Sequence, residues 1–158
     1  MADLVTQAQP ATDRLLTLDE NQLYGELAVR LQEIKRDPTA SANFDLKVDP
    51  KLEAMGALQD IRDFGRRFFD RMSRQACGVM CGPDADNTNE RHQLAQAFGI
   101  GKDAVAPALA ALFVAHLGLA PAIAAVLAAL AIKVFFKPAY DAMCDVWKDK
   151  LKEEKDDA

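Results

Sequence analysis

The feature that most constrains this chain is a long uncharged stretch in its C-terminal half. From Ala104 to Ile132 the sequence runs 29 residues without Asp, Glu, Lys or Arg, and 13 of them are Ala. Such a stretch is typical either of a membrane segment or of helices buried at the centre of a globular bundle. Gly118 and Pro121 lie near its middle, where Gly favours a helix end and Pro a helix start. We therefore expect two short helices, an apolar hairpin over residues 103–136.

Other segments carry apolar residues at helical spacing and predict amphipathic helices. The first follows a cap at Thr17 or Asp19 and ends at Asp37-Pro38. A longer helix is predicted from Asp49-Pro50 to about Met80, because Asp is a good N-cap and Pro is favoured at the first helical position. The apolar positions predicted for this long helix are Leu52, Met55, Leu58, Ile61, Phe64, Phe68 and Met72.

Three further boundaries complete the helical pattern. Asn87 is the expected cap of a short helix that ends near Phe98, and Asp103 is the expected cap of the apolar stretch. Phe44 and Leu46 are expected to anchor the connector after the first amphipathic helix. The last helix is predicted from Pro138 to about Lys152, and its inward face is Tyr140, Met143, Cys144, Trp147 and Leu151.

These elements predict an all-α fold, a helical bundle of about five to six helices with a central Ala/Leu-rich helical hairpin. A chain of 158 residues suits one domain with its own core. We expect a flexible N-terminal segment over residues 1–17, a single helical domain over residues 18–152, and a charged tail over residues 153–158.

Charge and cysteine content favour a cytoplasmic protein that does not bind nucleic acid. The net charge of −5 repels phosphate backbones. Residues 94–105 resemble the helix-turn-helix family, but the next helix, Ala104 to Leu117, carries no Arg, Lys, Asn or Gln to contact a base. The first residues show no secretory signal pattern, and an odd number of cysteines, three, favours a reducing compartment.

No arrangement of residues predicts catalysis or a cofactor. Paired carboxylates, a nucleophile triad and a phosphate-binding loop are not recognisable in the sequence. Cys77 and Cys81 are four residues apart and could form a zinc site with His92 and Cys144. Cysteine is also one of the most frequently buried residue types, so we expect these cysteines to be small core residues rather than ligands.

The leading hypothesis is a non-enzymatic protein that acts through helix-mediated association, either with a protein partner or as a homo-oligomer. The alternative is a membrane-associated protein that releases hairpin 103–136 into lipid, as an effector or toxin would. This arrangement resembles, in architecture, the pore-forming colicin domain and the Bcl-2 group. The residues expected to contact a partner or a membrane are Arg62, Arg66, Arg67, Arg71, Leu117, Val126, Phe135, Phe136 and Trp147.

Overall fold

The computed structural model describes residues 2–46, 58–82 and 88–157, and these form seven α-helices and one 3-10 helix with no strand. The predicted all-α fold is confirmed, but the helix count exceeds the expected five to six. In chain order the elements are α1 (Ala2–Leu15), α2 (Glu20–Arg36), the 3-10 helix (Pro38–Ala42), α3 (Leu58–Cys81), α4 (Thr88–Phe98), α5 (Lys102–Leu117), α6 (Pro121–Phe135) and α7 (Tyr140–Asp157).

The core is built around α6. This helix packs against α1, α2, α5 and the 3-10 helix, and to a smaller extent against α7. All residues from Ala122 to Ile132 are buried. Helix α5 packs on α6 but is less enclosed, since Lys102 and Asp103 at its start and His116 at its end are exposed. The two helices of the predicted hairpin thus differ in burial, because α5 has polar residues at both ends.

Local chemistry explains the helix boundaries. Asp19 forms a capping box, in which its carboxylate accepts from the Gln22 amide at 2.7 Å and Gln22 accepts from the Asp19 amide at 2.9 Å. Helix α5 ends at Gly118, whose φ of 65° lies in the left-handed region that favours Gly. Pro121 then starts α6. The predictions of a cap at Asp19 and of a break at Gly118 and Pro121 are confirmed.

The N-terminal segment differs from expectation. Residues 1–17 are predicted to be flexible, yet α1 covers Ala2–Leu15 and packs against α5 and α6. Ala8, Ala11 and Leu15 are buried, and their spacing places them on one face. Pro10 lies on the exposed side of this helix. Burial of the apolar face outweighs the cost of about 3 kcal/mol that an internal proline imposes on a helix, so the prediction is wrong for these residues.

Helix α3 is rotated relative to the predicted stripe. Ile61 is buried as predicted, but Phe64 is 44% exposed and the buried aromatic residue is Phe69. The cause is Gly65, where a methyl group would lie 1.9 Å from the carbonyl oxygen of Tyr24. The absence of a side chain at Gly65 lets α2 and α3 approach closely, and this contact turns the face that contains Gly65 and Phe69 inward.

Several predicted boundaries shift or cannot be compared. Asp49-Pro50, Leu52, Met55 and Asn87 lie outside the described residues. The N-cap of α5 is Gly101 rather than Asp103, which lies in the first turn of the helix. Phe44 and Leu46 are buried, as predicted for the connector. Helix α7 continues to Asp157, so most of the predicted charged tail is helical.

Candidate functional site

The outward face of α3 combines aromatic and charged side chains. We call Phe64, Arg67, Phe68, Asp70 and Arg71 the α3 surface; their spacing of three and four residues places them together on the helix. Phe68 is half-buried and also packs against the core, while the other four are exposed. Phe64, Arg67, Asp70 and Arg71 line a shallow groove of about 530 Å³. The guanidinium carbon of Arg71 lies 5.8 Å from the ring centre of Phe68, which is a cation–π contact. The surface is therefore an aromatic stripe bordered by charge.

The charge of α3 is opposite in sign to that of the whole chain. Between Asp60 and Arg74 it carries five arginines and three aspartates, a local charge of +2, whereas the chain carries −5. Burial raises the pKa of Asp70, and the neighbouring charges of Arg66 and Lys150 oppose that shift. The prediction that Phe64 lies on the core-facing stripe is wrong, because the close contact of Gly65 with Tyr24 of α2 decides which side of α3 is covered.

The predicted contact residues fall into two groups. Arg66, Arg67 and Arg71 are exposed, and Arg62 is half-buried. The buried members cannot touch a partner in this conformation, because other helices cover them; Leu117 and Phe136 are half-buried, whereas Val126, Phe135 and Trp147 are buried. The structure thus brings the arginines together on α3 and separates them from the apolar residues of the predicted set.

Trp147 is the central contact between α7 and the body of the bundle. Its indole Nε1–H donates to the Ser73 hydroxyl at 2.7 Å, and its ring stacks on Phe135 with centroids 4.8 Å apart. Phe135 in turn stacks on Phe69 at 6.3 Å. A buried indole N–H is costly without a partner, so Ser73 on α3 makes this position suitable for Trp.

Cys81 and Cys144 form a disulfide bond between α3 and α7, with their Cα atoms 5.6 Å apart. Cys144 is buried in the core and Cys81 packs against it, as predicted, but the bond between them was not predicted; the packing of α7 brings these two residues, 63 positions apart, into bonding distance. Cys77 is a buried free thiol, and burial raises its pKa. Because two of the three cysteines are paired, the cysteine content no longer favours a reducing compartment.

The zinc hypothesis loses two of its four ligands to that bond. His92 is exposed, while Cys77 is buried beneath α7. Within residues 2–46, 58–82 and 88–157, no group of three or more His, Cys, Asp or Glu side chains is placed to hold a metal ion.

A buried arginine connects three parts of the fold. Arg30 is fully buried, and its Nη1 donates to the carbonyl oxygens of Phe44 at 2.7 Å and Ala122 at 2.8 Å. Its Nε donates to the Glu26 carboxylate at 2.9 Å. Burial lowers the pKa of Arg30, and the charge of Glu26 opposes this shift. The sequence reasoning missed this residue, although its position three after Leu27 places it on the apolar face of α2.

The two tyrosines are both held in the neutral form. Burial raises the pKa of Tyr24, and its hydroxyl donates to the Glu20 carboxylate at 2.8 Å, which raises it further. Burial also raises the pKa of Tyr140, whose hydroxyl donates to the Met80 carbonyl oxygen. These phenols act as packing and hydrogen-bonding groups that join α2, α3 and α7.

No individual helix of the described part is both long enough and apolar enough to cross a membrane. Helix α6 together with Tyr140–Glu153 of α7 meets the length and composition criterion as a pair, with a bend of 90° between them. Comparison with known proteins yields no matching family model, no matching curated sequence and no matching solved structure.

Proposed function

We propose that this protein is a non-enzymatic helical module that binds an acidic amphipathic helix of a protein partner through the α3 surface. The observation that carries the proposal is Phe64, an aromatic side chain 44% exposed in the middle of a row of arginines. Burying an exposed large apolar side chain contributes about 1.5–3 kcal/mol when the burial is complete. Phe64 thus offers a partner an apolar contact, and the arginines around it offer charge.

The geometry favours a helix as the occupant. Phe64 and Phe68 are separated by one helical turn, so the exposed Phe64 and the half-buried Phe68 give α3 two apolar positions along its axis. A partner helix that places apolar residues at the same spacing can lie along these two positions. Arg67 and Arg71 border them.

Charge complementarity favours an acidic partner over a second copy of this chain. The α3 segment carries +2, while the whole chain carries −5. Carboxylates on a partner helix would face Arg67 and Arg71, whereas two copies of an acidic protein repel each other at long range. Rim charges of this kind mainly set the association rate and its salt dependence.

A designed peptide pair tests this proposal. One helical peptide carries a leucine stripe flanked by Glu, and its control replaces every Glu with Lys. By isothermal titration calorimetry we expect the Glu peptide to bind at least about tenfold more tightly than the Lys peptide, and binding to weaken with salt. Phe64→Ser should lower the affinity about tenfold, a loss of about 1.4 kcal/mol.

The control variant is Ile100→Ser, which removes an 82% exposed apolar side chain from the turn after α4. It should leave peptide binding unchanged. Equal binding of the two peptides, or an equal effect of the two variants, would contradict a specific role for the α3 surface. Dimerisation in sedimentation velocity that Phe64→Ser abolishes would identify a second copy as the occupant and overturn the partner assignment.

Membrane insertion is the second candidate, and the 29 uncharged residues from Ala104 to Ile132 favour it. Leu117 is half-buried at the end of α5, so Leu117→Asp should fold. The test uses vesicles of three parts phosphatidylcholine to one part phosphatidylglycerol. If the protein inserts, it should float with the vesicles and release an enclosed dye. Leu117→Asp should reduce both signals, and the control variant Ile100→Asp should not. Protein that never floats at neutral or mildly acid pH would refute this candidate.

A further inference from the structure

Helix α7 is attached to the bundle by its N-terminal half. Tyr140, Met143, Cys144 and Trp147 make its inward contacts, and Met143 and Trp147 are fully buried. After Trp147 the inward face of α7 is less buried, because Leu151 is half-buried and the residues next to it are charged and exposed. Helix α7 packs mainly against α3 and less against α6, and Tyr140 at its start also contacts the Phe98 ring at the end of α4, with centroids 5.4 Å apart. An element with contacts to so few neighbours can separate at a lower free energy than the whole fold.

The disulfide bond lies inside this small contact. On α3, Ser73, Cys77 and Cys81 are spaced by four residues and form one stripe. Ser73 accepts the hydrogen bond from Trp147, and Cys81 is bonded to Cys144. Cys77 lies between these two contacts, so it faces α7 and is covered by it. Its burial, at 4% exposure, agrees with that position.

We propose that the Cys81–Cys144 disulfide is a redox-sensitive clamp that holds α7 against α3 and Phe135 of α6, and that its reduction releases α7. A dithiol reductant supplies the two electrons and two protons. The S–S bond breaks into two thiols, and the reductant closes into a cyclic disulfide. Release uncovers the Phe135 ring, on which Trp147 stacks, and the buried Cys77, which lies near Lys148 and Tyr140 of α7. The contact with α7 uses Ser73, Cys77 and Cys81, whereas the proposed partner contact is centred on Phe64. The two regions adjoin at Asp70, on which the charge of Lys150 of α7 acts.

The chain contains two reporters of this release. Trp147 is its single tryptophan, and Cys77 is the one of its three cysteines that lies outside the disulfide. Both are buried while α7 is attached. The double variant Cys81→Ser/Cys144→Ser represents the reduced protein, and Cys77 is then the single thiol, as it is the single free thiol in the oxidised protein. Labelling rates of Cys77 can therefore be compared directly.

The experiment measures Cys77 alkylation by iodoacetamide in the oxidised protein and in the double variant. We expect alkylation to be at least about tenfold faster in the double variant, with a rate that depends only weakly on low urea concentrations, as local opening requires. Trp147 emission should shift to the red while the far-UV circular dichroism keeps most of its helical signal. Dithiothreitol should produce the same emission shift in the wild-type protein.

Two controls separate release of α7 from general destabilisation. Gly65→Ala keeps the disulfide but weakens the contact between α2 and α3. When its global stability equals that of the double variant, Cys77 should still be protected from alkylation. Cys77→Ser measures background labelling. The proposal is overturned if Cys77 reacts equally fast with and without the disulfide, if its rate follows global unfolding in urea, or if mass spectrometry of the air-oxidised protein finds three free thiols.

Discussion

The contact between α2 and α3 at Gly65 makes a sharp prediction about stability. Gly65→Ala places a methyl group 1.9 Å from the Tyr24 carbonyl oxygen, whereas ordinary contact begins at 3.4 Å. The two backbones must separate by about 1.5 Å, and gaps of that size forfeit much of the local dispersion energy. Overpacking of this kind costs about 1–3 kcal/mol, and the helix propensity of Ala returns about 0.5–1 kcal/mol. Because the obstacle is backbone, we expect a net loss of about 2 kcal/mol.

Gly78 on the same helix provides the matched control. A methyl group there would have nothing within 4 Å, and the position is exposed. Gly78→Ala should therefore stabilise the protein by about 0.5–1 kcal/mol, through the higher helix propensity of Ala alone.

Urea unfolding and thermal unfolding, both followed by circular dichroism, measure the stability of the two variants. At about 2–4 °C per kcal/mol for a chain of this size, the melting temperature should fall by about 4–8 °C for Gly65→Ala and rise by about 1–4 °C for Gly78→Ala. A Gly65→Ala protein as stable as the wild type would refute the close approach of α2 and α3, and with it the rotation that exposes Phe64.

Three further expectations follow from the buried polar groups. The pKa values of Tyr24 and Tyr140 are raised in the folded state, so above about pH 10 the folded protein keeps phenol protons that the unfolded protein loses. The free energy of unfolding should therefore fall as the pH rises above about 10, and it should fall less steeply in Tyr24→Phe. Phenolate absorbance at about pH 10 in protein that keeps its native circular dichroism spectrum would contradict this. Ser73→Ala should cost about 1–3 kcal/mol by leaving the Trp147 N–H buried without a partner; Trp147→Phe should remove most of that cost in the double variant, and additive losses in urea unfolding would exclude the coupling. Arg30→Met should cost about 2–4 kcal/mol because charged hydrogen bonds to two carbonyl oxygens are lost; the exposed Arg36→Met is the control, and equal small effects would argue against the Arg30 network.

The amphipathic helices were predictable from local signals. Periodicity predicts α2, and Phe44 and Leu46 are predicted anchors because they are the large apolar residues of a polar connector. The cap at Asp19 and the break at Gly118 follow from the chemistry of single residues. These features depend on neighbours within one or two helical turns. The inward positions of Met143 and Trp147 on α7 were predictable for the same reason.

The α3 surface was predictable in part. Its arginines were recognised as candidate contacts from their clustering, and the structure leaves Arg66, Arg67 and Arg71 exposed. Its aromatic residues were not predictable. By helical spacing alone, the face with Phe64 and Phe68 matches a core stripe as well as the face with Ile61 and Phe69 does. The choice between two adjacent faces of one helix depends on the neighbouring helix, which the sequence pattern does not contain.

The sequence by itself determined that this chain folds into helices and where several of them start and stop, because caps, Gly, Pro and apolar period act over a few residues. Tertiary structure decided which side of α3 is covered, that α1 is a helix despite Pro10, and that Cys81 meets Cys144 across 63 residues. Those outcomes depend on contacts between distant segments. Their free energies arise only when whole helices pack, and no local pattern records them.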